Sequence, residues 1–186
     1  MKKQSTRSSR KMKQIILVLC EGETEECYIN MLKQQYRLPI KVISKVVGQN
    51  INQRLIDSYV KELKLDRSDK IKCYLMYDAD VNSIVDKINQ CKATPLLSNP
   101  CLESWFLAHM ERINNQQMDV KSCIDKLRAY SAWNTYKKGC LSPSQQKILW
   151  EKRNEAKGNI AIHQNEELPY SNISNFIDEL ENKRET

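Results

Sequence analysis

The chain has few of the residues that most nucleotide and zinc sites require. With four glycines among 186 residues, it contains neither a GxxxxGK(S/T) phosphate loop nor a GxGxxG turn, which argues against a nucleotide-binding enzyme. His109 and His163 are its two histidines, and its seven cysteines form no CxxC pair. The ligand spacing of a zinc site is therefore missing. An odd and scattered set of cysteines also speaks against a disulfide framework. Cys20, Cys73 and Cys101 lie in or beside apolar runs, where a thiol acts as a small hydrophobe. Reduced thiols and a cytoplasmic location suit that usage. No apolar run approaches the roughly 20 residues of a membrane span. The N-terminal MKKQSTRSSRKMK is basic but has neither an apolar segment nor a small-residue cleavage site, so residues 1–13 read as a flexible basic arm rather than a secretory signal.

What is present is an apolar core and an excess of positive charge. A hydrophobic content of 40% and a length of 186 residues suit one domain. The net charge of +7 and a pI near 9.0 favour an anionic partner, with nucleic acid first.

The run Ile15–Cys20 is continuously apolar, as in a strand buried on both faces. Glu23–Gln35 has helical spacing, with Tyr28, Met31, Leu32 and Tyr36 on one side and Pro39 as a breaker. Ile40–Val47 is β-branched and predicts a second strand. A Gly48-Gln49-Asn50 turn and a helix over 51–65 follow. Ile71–Tyr77 predicts a third strand, 83–90 a helix and Thr94–Leu97 a short fourth strand. This alternation predicts an α/β fold, a mostly parallel, Rossmann-like sheet covered by helices on both faces. After Pro100 the pattern becomes helical: Cys101–Met110, Val120–Tyr130, Gln145–Lys157 and Ser171–Asn182, with a basic turn at Tyr136–Gly139. The expected organisation is an α/β core over 14–98 and a C-terminal helical extension over 99–186, packed together as one domain.

Acidic residues stand where the strands end. The first strand opens directly into Glu21-Gly22-Glu23-Thr24-Glu25-Glu26, and the third stops at Asp78-Ala79-Asp80. In open parallel sheets, functional groups gather beyond the carboxyl ends of the strands. The topology therefore predicts that Glu21, Asp78 and Asp80 share one edge. Crowded carboxylates repel one another unless a cation neutralises them, and Mg²⁺ takes a few such hard oxygen ligands. In an extended segment Asp78 and Asp80 point the same way. Glu21 is a third ligand or a general acid/base, and Gly22 permits a tight turn that brings Thr24 or Glu25 back to the edge. Glu23, Glu25 and Glu26 equally suit the favourable first turn of a helix.

These motifs resemble the Toprim fold, found in topoisomerases, primases and OLD-family nucleases. A third segment, Ser98-Asn99-Pro100-Cys101-Leu102-Glu103-Ser104-Trp105-Phe106-Leu107-Ala108-His109, sharpens the likeness. Its SNPCxExWxLxH pattern looks like the signature of the RloB-like proteins, a Toprim-related group of bacterial and archaeal defence loci, over about residues 14–180. The resemblance implies a nuclease site dependent on Mg²⁺ or Mn²⁺, with Glu21, Glu25, Asp78, Asp80 and Glu103 as metal ligands and Glu21, Asp78 and Asp80 as catalytic groups. Lys137 or Lys138 would bind nucleic acid, Lys137 also countering charge on the phosphate. Asn99-Pro100 is expected to cap the next helix, and Trp105 and His109 share a helix face that suits a core, the alternative role of His109 being to orient Glu103 or a phosphate. DNA or RNA, including tRNA, is the implied substrate, in defence against phage or foreign DNA, with an ATPase from the same locus as partner. The competing reading is a non-catalytic module that binds nucleic acid or docks such an ATPase. Whether the chain forms a homo-oligomer stays open.

Overall fold

A computed structural model describes residues 14–38, 41–65, 69–113, 117–162 and 168–184. The basic arm over 1–13, the breaker Pro39 and His163 lie outside the described residues. A sheet with strand order β2-β1-β3-β4-β5 organises the chain. Its strands are β1 (Gln14–Cys20), β2 (Lys41–Val46), β3 (Lys70–Asp78), β4 (Thr94–Asn99) and β5 (Tyr170–Ser171). The first four run parallel, and β5 is antiparallel to β4.

The continuous apolar run of β1 reflects its place inside the sheet. Ile16, Val18 and Cys20 face one apolar layer, while Leu17 and Leu19 face the other. The second layer is built by α2 (Gln53–Glu62) and α3 (Asn82–Asn89), through Ile56, Ile84, Val85 and Ile88. The first is larger. It takes α1 (Glu23–Tyr36), α4 (Leu102–Ala108), α5 (Val120–Arg128), α6 (Pro143–Glu151), α7 (Arg153–Asn159) and α8 (Ile173–Arg184). Residues on both sides of position 98 thus share one core. Every residue of α4 is buried, which explains why its sequence is apolar on every side except at Glu103 and Ser104. No described helix is long and apolar enough to cross a membrane.

Two expected elements differ in detail. The helix expected over Gln145–Lys157 is two helices. Lys152 leaves helical geometry (φ −96°, ψ 11°), and Arg153 turns back to donate to Trp150 O at 2.8 Å while stacking on the Trp150 ring. The first of them starts earlier, at Pro143, where the Ser142 hydroxyl accepts from Gln145 N and the Gln145 side chain accepts from Ser142 N. This is a capping box with proline at the first position. Ser171 was expected in a helix, yet it pairs with Ser98 in the sheet, their hydroxyls 2.9 Å apart. Asn172 then continues the ladder with its side-chain amide, accepting from Leu97 N at 2.8 Å and donating to Pro95 O at 3.2 Å. A strand of two residues is too short to show alternation.

The strand order places the site. From β1 the chain goes outward to β2, then returns past β1 to β3. Such a reversal opens a crevice at the carboxyl ends of the two strands it separates, here β1 and β3.

Candidate active site

Glu21 is the first residue beyond β1, and its backbone still pairs with β3, donating to Met76 O at 3.0 Å. Its carboxylate is held by both neighbouring strand ends. Oε1 accepts from Gln49 Nε2 at 2.9 Å, and Oε2 accepts from the backbone N–H of Asp78 at 3.2 Å. Gln49 is in place because Tyr77 Oη donates to Gly48 O at 2.8 Å and Val47 N donates to Cys20 O at 2.9 Å. Gly22 precedes α1 and donates its N–H to Glu25 Oε2 at 3.0 Å. This turns the Glu25 carboxylate back toward the sheet edge. A Cβ on Gly22 would lie 3.2 Å from that oxygen, so a side chain here would press on Glu25.

Asp78 ends β3. Its Oδ1 accepts from Leu102 N, the first amide of α4, at 2.8 Å. Asp78 therefore performs the capping expected of Asn99, whose side chain instead donates to Leu168 O at 2.8 Å. In the first turn of α4, Glu103 is buried, with 1% of its side chain exposed. Its Oε1 accepts from Tyr136 Oη at 2.8 Å, and its Oε2 makes no hydrogen bond. Lys138 Nζ lies 3.5 Å from that Oε2 and 3.8 Å from Asp78 Oδ2. The loop carrying Tyr136 and Lys138 is fastened to α1, because Gly139 N donates to the buried Thr24 Oγ1 at 2.8 Å. Gly139 has φ +87°, and a Cβ there would meet Glu23 Oε2 at 2.9 Å; glycine meets both conditions.

Together these groups line a cleft of about 280 Å³ bounded by Glu21, Gly22, Glu23, Thr24, Glu25, Asp78, Lys138 and Gly139. Among the described residues, Lys138 is the one basic residue of that lining. Burial raises the Glu25 carboxyl above its ordinary value, and the charge of Glu103 adds to the shift. Burial also pushes Asp78 well up, Glu25 reinforcing it and Lys138 opposing it. Burial works against the charge on Lys138, but Glu103 and Asp78 hold its pKa above the ordinary value. The site therefore contains more acid than one ammonium can neutralise.

The donor set suits a hard divalent cation. It is all oxygen, it is acid-rich, and it includes a buried carboxylate oxygen with no hydrogen bond. Among the described residues, no group of three or more His, Cys, Asp or Glu side chains is already gathered as a ligand set. Glu21, Glu25 and Asp78 line the cleft, and Glu103 reaches it through Lys138. Asp80 is exposed and outside the lining, because the extended geometry of β3 ends at Asp78 and the chain bends before α3. Lys137 is likewise exposed and outside it, whereas Lys138 is inside. His109 is buried, its Nδ1 2.8 Å from Trp105 O, and burial lowers its pKa to about 4. Trp105 donates to Tyr28 Oη at 2.8 Å, so both residues belong to the core. Thr24 lines the cleft, as the turn at Gly22 predicts, but Gln49 as the support of Glu21 and the bond between Gly139 and Thr24 do not follow from the sequence.

This is an acid-rich cleft bridged by a single lysine, at the switch point of a mostly parallel α/β sheet. The chain belongs to the RloB-like protein family, whose model matches residues 16–180. No curated protein and no solved structure matches it.

Proposed function

We propose that the protein is a metal-dependent nuclease of Toprim type that hydrolyses phosphodiester bonds. One observation carries the reading: Glu21 with Glu25, Asp78, and Glu103 come from three separate segments to a single edge, where one lysine pairs with Asp78 and Glu103. A structural role alone would balance such acids with equal positive charge, as elsewhere in this chain. Mg²⁺ or Mn²⁺ held by Glu21, Glu25, Asp78 and Glu103 would supply Lewis-acid activation of water and of the phosphate, Asp80 joining if its bend straightens. Glu21, fixed by Gln49 and Asp78 N, is placed to accept a proton from the attacking water. Lys138, with half its side chain exposed, is placed to counter charge on the phosphate. Lys137 and the net positive charge extend the attraction to nucleic acid. In this reading the protein is a cytoplasmic defence effector, acting on DNA or RNA, tRNA included, with an ATPase of the same locus as its partner.

The test is cleavage of single-stranded DNA, duplex DNA and total tRNA in Mg²⁺, Mn²⁺ or EDTA, beside Asp78→Ala and Glu21→Ala. Metal-dependent cutting lost in both variants supports the reading and names the substrate. Nucleic-acid binding that persists unchanged in both variants, without cutting, is the outcome for a non-catalytic module. The absence of a gathered three-acid ligand set among the described residues is the observation that favours that second reading.

A further inference from the structure

Lys138 occupies an unusual place: among the described residues it is the sole cation of an acid-rich cleft. It reaches Asp78 Oδ2 at 3.8 Å and Glu103 Oε2 at 3.5 Å. Neither contact is a good hydrogen bond, so charge alone maintains both. Glu103 Oε2 is buried and has no hydrogen bond. A buried carboxylate oxygen without a partner is costly, and a cation close by is what offsets it. The backbone under Lys138 is fixed, since Gly139 donates to Thr24 and has little room to change. The side chain itself is 49% exposed, so its ammonium has solvent to swing into.

We propose that Lys138 is the internal counter-cation of the cleft, holding Asp78 and Glu103 when no divalent ion is bound and releasing them when one binds. The inference rests on the metal-binding half of the nuclease reading and adds which cation offsets part of the acid charge when the site is empty. A divalent ion ligates carboxylates at about 2.0–2.1 Å in the case of Mg²⁺, far closer than Lys138 stands. Its two charges also outbid one ammonium for the same two acids. Released from them, the ammonium is free to meet a phosphate oxygen. Loading the ion and arming the lysine for substrate are then one event.

The experiment is Mn²⁺ titration of the full chain, read by the electron paramagnetic resonance of free Mn²⁺, for wild type, Lys138→Met and Lys138→Arg. Removing the competing charge is expected to tighten Mn²⁺ binding about tenfold in K138M, while K138R stays near wild type. Equal or weaker binding by K138M overturns the proposal. A second measurement needs no variant: acylation of Lys138 in wild type, quantified by peptide mass spectrometry with and without Mn²⁺. Labelling is expected to rise when Mn²⁺ is present, and unchanged labelling overturns the proposal. Tighter binding by K138M with no cleavage by wild type sustains the counter-cation and sinks the nuclease. Absence of Mn²⁺ binding in all three proteins overturns both.

Discussion

Two acidic clusters in this molecule use the same residue types to opposite effect. Along α8, Glu179 is bound by Lys72 and Tyr74, with Lys183 at 3.8 Å. Glu181 accepts from Arg153 at 2.9 Å, Lys157 at 2.8 Å and Tyr36 at 3.2 Å. Burial opposes the charge of both acids, yet their donors win and hold both carboxyls below the ordinary value. At the carboxyl edge of the sheet, burial wins and lifts Glu25 and Asp78. The α8 acids are each matched by cations, so they act as fastenings between α8, α1, α7 and β3. The cleft acids outnumber the single lysine that faces them among the described residues, so they keep a mutual repulsion that the α8 acids have lost. Charge balance, more than the presence of acids, separates a structural network from a site.

The comparison is sharpened most by removing one acid from each side. Asp78→Ala is expected to lower cleavage at least about a thousandfold, on the scale of losing a group that acts in the transition state. Glu181→Ala is expected to leave cleavage within about twofold and to cost about 1–2 kcal/mol in urea unfolding, since Arg153 and Lys157 lose a shared partner. If both variants lose activity without losing stability, the division between the clusters fails.

Asp78→Asn should go the other way in EDTA. The amide keeps an oxygen for Leu102 N but removes a charge from the crowded cleft, so stability is expected to rise by about 1 kcal/mol as activity disappears. A drop in melting temperature would show that the Lys138 contact is worth more than the crowding it relieves.

Acid provides a further test. Glu179 and Glu181 have folded pKa values below their ordinary 4.5. Their contribution is complete above that value and is lost as pH falls through the depressed folded values. Denaturation midpoints should therefore fall on acidification below about pH 4.5, with a shallower slope in a Glu179→Gln, Glu181→Gln double variant. Identical slopes would mean these pairs carry no net stability. The smallest expected effect is that of Lys137→Ala, an exposed residue outside the cleft. Cleavage should change by less than about threefold, with only a slight shift in salt dependence, in contrast to Lys138→Met.

The sheet was legible because burial on both faces leaves a sequence record. β1 and β3 are apolar runs that stop at acids, and their ends predicted where Glu21 and Asp78 would stand. The cleft was partly legible for the same reason. What stayed hidden depends on contacts between residues far apart in the chain. Tyr136 and Lys138 serve the two oxygens of Glu103 across more than thirty positions. A two-residue strand at Tyr170 and Ser171 shows no period, and Asn172 mimics a backbone amide that no propensity foresees.

By itself the sequence determined the α/β class, the parallel core and the acids at the strand ends, because hydrophobic periodicity and abrupt changes of polarity are local. Only the tertiary structure decided which acids meet, which of two adjacent lysines joins them, and that Asp78 rather than Asn99 caps α4. Those outcomes depend on side-chain direction and on charge balance in three dimensions, which neighbouring residues in a chain do not encode.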